Sequence, residues 1–143
     1  MISKLRHTGI VVRDLDRAVD FYEALGFQIW IRALEEGSFI ETVVGLEGVR
    51  VETAKLKAPC GALLELLQYH SHPVQRDIQP QSSNQLGCSH IAITVDSIDE
   101  ALACVQSRGG SLVNQPATAP GGKVLVAYCH DPEGVLLELV EEL

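Results

Sequence analysis

Apolar and polar positions follow two periods along this chain, and the two periods alternate. Residues 6–12 read as a strand. Asp14 is placed to cap a helix whose apolar positions Leu15, Ala18, Val19, Tyr22 and Leu25 recur at helical spacing, and Gly26 stops it. Residues 27–32 are rich in aromatic and β-branched side chains and predict a strand. Two more strands are expected over 48–56 and 61–69, joined by a turn at Ala58-Pro59-Cys60-Gly61. The order then repeats. Residues 88–95 predict a strand, and Ser97-Ile98-Asp99-Glu100 is a capping-box pattern opening a helix through Ala101, Leu102 and Val105. Gly109-Gly110 ends it. Strands follow at 111–114, 123–129 and 134–141, with His130-Asp131-Pro132-Glu133-Gly134 as a hairpin turn.

Each half is therefore expected to be βαβββ, an α+β arrangement. The repeat is visible in the residues themselves. His7-Thr8-Gly9-Ile10-Val11-Val12 returns as His90-Ile91-Ala92-Ile93-Thr94-Val95, and Gly61-Ala62-Leu63-Leu64-Glu65-Leu66 returns as Gly134-Val135-Leu136-Leu137-Glu138-Leu139. The histidines are offset by 83 residues and the glutamates by 73, so the first half carries ten extra residues. The insert is expected within 33–46, where Ser38 to Val44 would form a short helix or a lid. The chain reads as a single domain, 1–143, made of module 1 (5–70), a linker (71–86) and module 2 (87–143).

The repeat isolates four side chains. Glu65 and Glu138 each sit inside a run of leucines, where a carboxylate would be buried or nearly so. A buried charge must be paired, protonated or bound to a metal. Taken singly, a strand glutamate is usually the solvent-facing member of its pattern, and a strand histidine an ordinary core or edge residue. Their recurrence at linked positions favours a His2Glu2 metal site of His7, Glu65, His90 and Glu138. Imidazole and carboxylate ligands suit Zn, Ni, Co or Mn and do not choose among them. Such an ion would act as a Lewis acid on a carbonyl oxygen while Glu138 or Glu65 takes a proton from the adjacent carbon.

His70, His72 and His130 have no repeat partners and read as ordinary polar surface residues. Trp30 and Tyr69 could line a pocket or fill the core. Pro120-Gly121-Gly122-Lys123 reads as a turn before a strand.

Composition narrows the function classes. Hydrophobic residues make up 46% and charged residues 21%, as in globular proteins. The formal charge of −8, with scattered Lys and Arg, argues against nucleic acid as a partner. No apolar run approaches the ~20 residues of a membrane span. The start lacks an apolar signal stretch, so a cytoplasmic location is expected. The four cysteines show no C-x-x-C spacing and are read as reduced thiols, with Cys104 in the core.

At these residues the chain resembles the vicinal oxygen chelate superfamily, which includes glyoxalase I, bleomycin resistance proteins, methylmalonyl-CoA epimerase, fosfomycin-resistance proteins and extradiol dioxygenases. The resemblance spans nearly the full length. It rests on His7, Val12-Arg13-Asp14-Leu15-Asp16-Arg17-Ala18-Val19-Asp20-Phe21-Tyr22, Leu25-Gly26-Phe27, Leu64-Glu65-Leu66, His90-Ile91-Ala92, and Asp131-Pro132-Glu133-Gly134 leading to Glu138. It implies two βαβββ modules forming a curled mixed sheet around a metal cleft, with His7, Glu65, His90 and Glu138 as ligands. The Asp-Pro-Glu-Gly and Leu-Leu-Glu-Leu segments are similar to the glyoxalase I branch. That implies a metal-dependent lyase or isomerase acting on a small molecule as a homodimer. Short bacterial glyoxalase I carries an arginine and an asparagine where this chain has Val11 and Tyr69. The alternatives within the resemblance are an epimerase-like isomerase, a small-molecule binding or resistance protein, and a dioxygenase.

Overall fold

The computed structural model describes residues 1–74, 77 and 79–143. The expected linker at 75, 76 and 78 lies outside the described residues. The chain forms two compact units, Met1–Arg76 and Asp77–Leu143.

The first unit runs β1 (Thr8–Val11), α1 (Leu15–Ala24), β2 (Gln28–Glu36), α2 (Ser38–Val44), β3 (Arg50–Lys57) and β4 (Leu63–Tyr69). Its sheet has the order β1-β4-β3-β2, with β1 parallel to β4 and the other pairs antiparallel. Asp14 caps α1 by accepting the Arg17 N–H at 3.0 Å. Leu15, Ala18, Val19 and Tyr22 are buried on one face of that helix, as their spacing predicts. On β3 and β4, the strands this helix contacts, Ala54, Leu56, Leu64 and Leu66 are buried too. Edge-to-face ring contacts of Tyr22 with Phe21 and Phe27 tie the helix to the chain that follows it. The insert is a helix, α2. It covers the other sheet face at one end, where Ile40, Val49 and Val51 are buried with Leu67 and Tyr69 packed against them. Tyr69 therefore belongs to an apolar cluster.

Trp30 does not fill the core. The register of β2 against β3 slips between Ile29 and Ile31, so Trp30 is an extra residue in the ladder. Its side chain is 58% exposed. Next to it, Arg32 bridges Asp16 on α1 and Glu52 on β3, at 2.6 and 2.8 Å. The hydrogen bond from Arg32, followed by that of His70, holds the Glu52 carboxyl below its ordinary range.

The second unit runs β5 (Ile91–Thr94), α3 (Ile98–Ser107), β6 (Ser111–Leu112), β7 (Ala117–Thr118), β8 (Val124–His130) and β9 (Leu136–Glu142). Its sheet has the order β5-β9-β8-β6, with the short β7 also pairing with β8. β5 and β9 are parallel, like β1 and β4. The fold is thus α+β, with two mixed sheets of four and five strands. Ser97 caps α3 through the Glu100 N–H, and Ile98, Leu102 and Val105 are buried along the helix. Cys129 lies in the same core, and burial pushes its thiol up to about 12. A thiol so placed is inert at neutral pH. Cys104, expected in the core, is half-buried.

His130 corrects the sequence reading. It was expected in a turn at the surface, but it ends β8 and is buried. Its Nε2 lies 2.8 Å from the Gln81 carbonyl oxygen. Gln81 also donates its N–H to Gly134 O and accepts the Leu136 N–H on its side chain. One glutamine of the expected linker is thereby fixed to the β8–β9 hairpin. Gly110 makes room for this arrangement, because a Cβ there would collide with the His130 carbonyl and the Val105 side chain. The hairpin turn itself uses Gly134 at φ 83°, as expected of that glycine.

The two units share a device that the sequence did not disclose. The first-turn N–H of α1, at Leu15, donates to Gln68 Oε1 at 2.9 Å. The equivalent N–H of α3, at Ile98, donates to Glu141 Oε2 at 2.7 Å. In both units the capping side chain stands three residues after the leucine-flanked glutamate, so each helix start is bound to the strand carrying that glutamate. Glu141→Ala should cost about 1–2 kcal/mol, from the lost cap and the lost anion at a helix N-terminus. Urea unfolding should show a lower midpoint with the slope unchanged. An unmoved midpoint would show that solvent replaces this cap without loss.

No helix among the described residues is long and apolar enough to cross a membrane.

Candidate metal centre

Parallel pairing builds the same arrangement in each unit. Gly9 on β1 stands opposite Glu65 on β4. His7 precedes Gly9 by two residues, so along an extended chain it shares the sheet face of Gly9 and Glu65. Buried Leu64 and Leu66 point to the opposite face, toward α1. The result is His7 Nε2 at 3.0 Å from Glu65 Oε2. In the second unit Ala92 stands opposite Glu138, and His90 lies two residues before it. His90 Nε2 is 2.8 Å from Glu138 Oε2. The residue paired with each glutamate on the parallel neighbouring strand is small, Gly9 or Ala92.

The glutamates are half-buried rather than sealed. Their side chains are 12% exposed at Glu65 and 23% at Glu138. Their surroundings differ. Across the sheet Glu65 faces Lys55, whose Nζ is 3.1 Å from Glu65 Oε1. Glu138 faces Tyr128. The Tyr128 ring also meets the His90 ring edge-to-face, at 5.3 Å between centroids. Desolvation, and after it the Glu138 charge, raises the Tyr128 hydroxyl above its ordinary range, so it stays protonated.

The donor set fits a divalent ion. Imidazole nitrogen and carboxylate oxygen bind such an ion at ~2.0–2.2 Å, so two ligands on adjacent octahedral corners lie ~3 Å apart. Both pairs have that spacing. The His90 tautomer points the same way. Ser89 Oγ gives its hydroxyl proton to the Ser83 carbonyl at 2.7 Å. Its 3.2 Å contact with His90 Nδ1 is therefore one in which Nδ1–H donates. With Nδ1–H so engaged, Nε2, the nitrogen beside the Glu138 carboxylate, would be the one to bind a metal ion. A hydrogen bond at the far nitrogen is also how metal-binding histidines are held.

Comparison with known proteins agrees with this architecture. The model of the Glyoxalase/Bleomycin resistance protein/Dioxygenase superfamily matches residues 4–139. The chain belongs to this superfamily. It is 30% identical over 142 residues to a lactoylglutathione lyase of Escherichia coli, covering 97% of this chain and 93% of that protein. A glyoxalase family protein from Bacillus cereus has the same fold, with a TM-score of 0.92 at 30% identity, covering 100% of this chain and 96% of that one. Glyoxalase I from Zea mays, at 22% identity and a TM-score of 0.65, shares the fold over 98% of this chain and 47% of its own.

As a superfamily member, the chain brings its four candidate ligands together as two pairs. Among the described residues, no group of three or more His, Cys, Asp or Glu side chains gathers closely enough to hold a metal. His70 and His72 are exposed, as expected; His70 pairs with Glu52, and His72 meets Ser71 Oγ at 2.8 Å. Sequence reasoning missed Lys55, Ser89 and Tyr128. Lys55 and Tyr128 carry the same 73-residue offset as the glutamates, and that offset was the available signal.

Proposed function

We propose that the protein is a divalent-metal-dependent lyase or isomerase of the glyoxalase I type. The observation that carries this reading is the pair of separately built His–Glu contacts with ligand spacing, His7–Glu65 and His90–Glu138. A divalent ion held by these four residues would supply Lewis acidity toward a substrate carbonyl and stabilise the negative charge that develops on its oxygen. Glu138 takes the proton from the neighbouring carbon and returns it to the adjacent one. Tyr128 holds the His90 ring in place. The names of the similar enzymes support a small-molecule substrate of this chemical type.

The substrate's tail is a separate matter. Val11 is 58% exposed and offers no charge, and Tyr69 is packed against the α2 cluster. Neither can act as the arginine or the asparagine of short bacterial glyoxalase I. This favours a second reading, an isomerase whose substrate lacks glutathione. The test is proton exchange in deuterated solvent by the metal-loaded protein. The methylglyoxal–glutathione hemithioacetal should be compared with glutathione-free 2-hydroxy ketones. Exchange of the first supports the lyase, and exchange of the ketones alone supports the second reading. Exchange of neither counts against enzymatic proton transfer.

The protein would act as a two-fold homodimer. The large exposed side chains of Trp30, Leu34, Phe39 and Val43 in the first unit suit an apolar interface. Light scattering at micromolar concentration should give twice the chain mass of 15.5 kDa. A monomer would sink this expectation. Free Cys60 and Cys88, both exposed, suit a reducing compartment, which we take to be the cytoplasm.

A further inference from the structure

The two His–Glu pairs are related by the repeat, yet the residue facing each glutamate breaks the relation. Lys55 and Tyr128 occupy equivalent positions, directly across from Glu65 and Glu138. Glu65 has both oxygens engaged, Oε2 by His7 at 3.0 Å and Oε1 by the Lys55 ammonium at 3.1 Å. Glu138 has Oε2 engaged by His90. Among the described residues, no Lys or Arg is paired with Glu138, and its side chain is the more exposed of the two.

From this difference we infer that Lys55 is a positioning residue that holds Glu65 in one orientation, so that proton transfer runs through Glu138 alone. This rests on the proposed metal-dependent proton transfer and deepens it. To accept a proton from carbon, a carboxylate must turn one oxygen toward the substrate. Glu65 can do so only by giving up its contact with Lys55 or with His7. Glu138 has an oxygen without such a tether. A site with two equally mobile glutamates would act on both mirror-image forms of a substrate, as an epimerase must. A site with one tethered glutamate acts on one form.

The first test reads metal binding and needs no substrate. Metal-free full-length protein is titrated with Zn. The Lys55 ammonium repels a dication and takes up part of the Glu65 charge, so Lys55→Met should tighten binding about tenfold. Lys55→Arg, which keeps the charge, should stay within about twofold of wild type. If Lys55 merely propped the strand, Lys55→Met would weaken binding or leave it unchanged, and the inference would fall.

The second test follows solvent deuterium exchange into each enantiomer of the methylglyoxal–glutathione hemithioacetal or of a 2-hydroxy ketone. Wild type should exchange one enantiomer at least about tenfold faster than the other, and Lys55→Met should lift the slower one. The double variant Lys55→Met/Glu138→Gln should recover exchange that Glu138→Gln lacks, now in the opposite enantiomer. Equal exchange of both enantiomers by wild type overturns the role of Lys55 and leaves the proposed activity standing. A wild-type protein that neither binds Zn nor exchanges either probe overturns the activity, and the inference falls with it.

Discussion

Metal-free protein titrated with Zn, Ni, Co and Mn should take up one divalent ion per His2Glu2 set, and His90→Ala and Glu65→Gln should each weaken that uptake about a hundredfold or more. The magnitude follows from what a ligand loss removes. Changes to residues that merely support a ligand already cost ~10–100-fold in affinity, and losing the ligand costs at least as much. His90→Ala also leaves Glu138 without its 2.8 Å partner, and Glu65→Gln removes the charge that His7 and Lys55 share. If wild type takes up none of the four ions, the His–Glu contacts are ordinary hydrogen-bonded pairs and a metal-free binding role becomes the better account.

The repeat made the core of this architecture legible. A buried leucine run with one glutamate in it constrains strand, face and neighbours at once, and β4 and β9 fall where those runs predict. The alternation of Leu64, Glu65 and Leu66 determines which face the carboxylate takes, and the parallel pairing with β1 then brings His7 to it. What escaped the sequence depends on contacts between distant segments. Nothing near Trp30 announces the register slip, because a bulge belongs to a strand pair rather than to one strand. His130 looked like a turn residue because its burial comes from Gln81, 49 positions away. Lys55 carries no signal of its own, because its importance appears only in its register against Glu65. The caps from Gln68 and Glu141 escaped for the same reason, since a side-chain acceptor far along the chain leaves no local signature.

Replacing Glu138 by glutamine should lower the rate constant for turnover by about 10³-fold while changing substrate affinity little. The amide is nearly the same size, so the sheet and the Leu137–Leu139 packing beneath it stay intact. What it loses is the ability to accept a proton, and general-base contributions run at ~10²–10⁴-fold. An interaction made only in the transition state appears in kcat and kcat/KM together. Glu65→Gln should behave differently. It should act mainly through metal content, so activity should return largely when the ion is supplied in excess. Solvent deuterium exchange at the substrate carbon distinguishes the two cases without relying on product release. Should Glu138→Gln exchange at the wild-type rate while Glu65→Gln does not, the base is Glu65 and the two roles are reversed. Should both single variants exchange normally, neither glutamate moves the proton. The two carboxylates would then serve binding alone, and the chemistry would have to be sought in another residue.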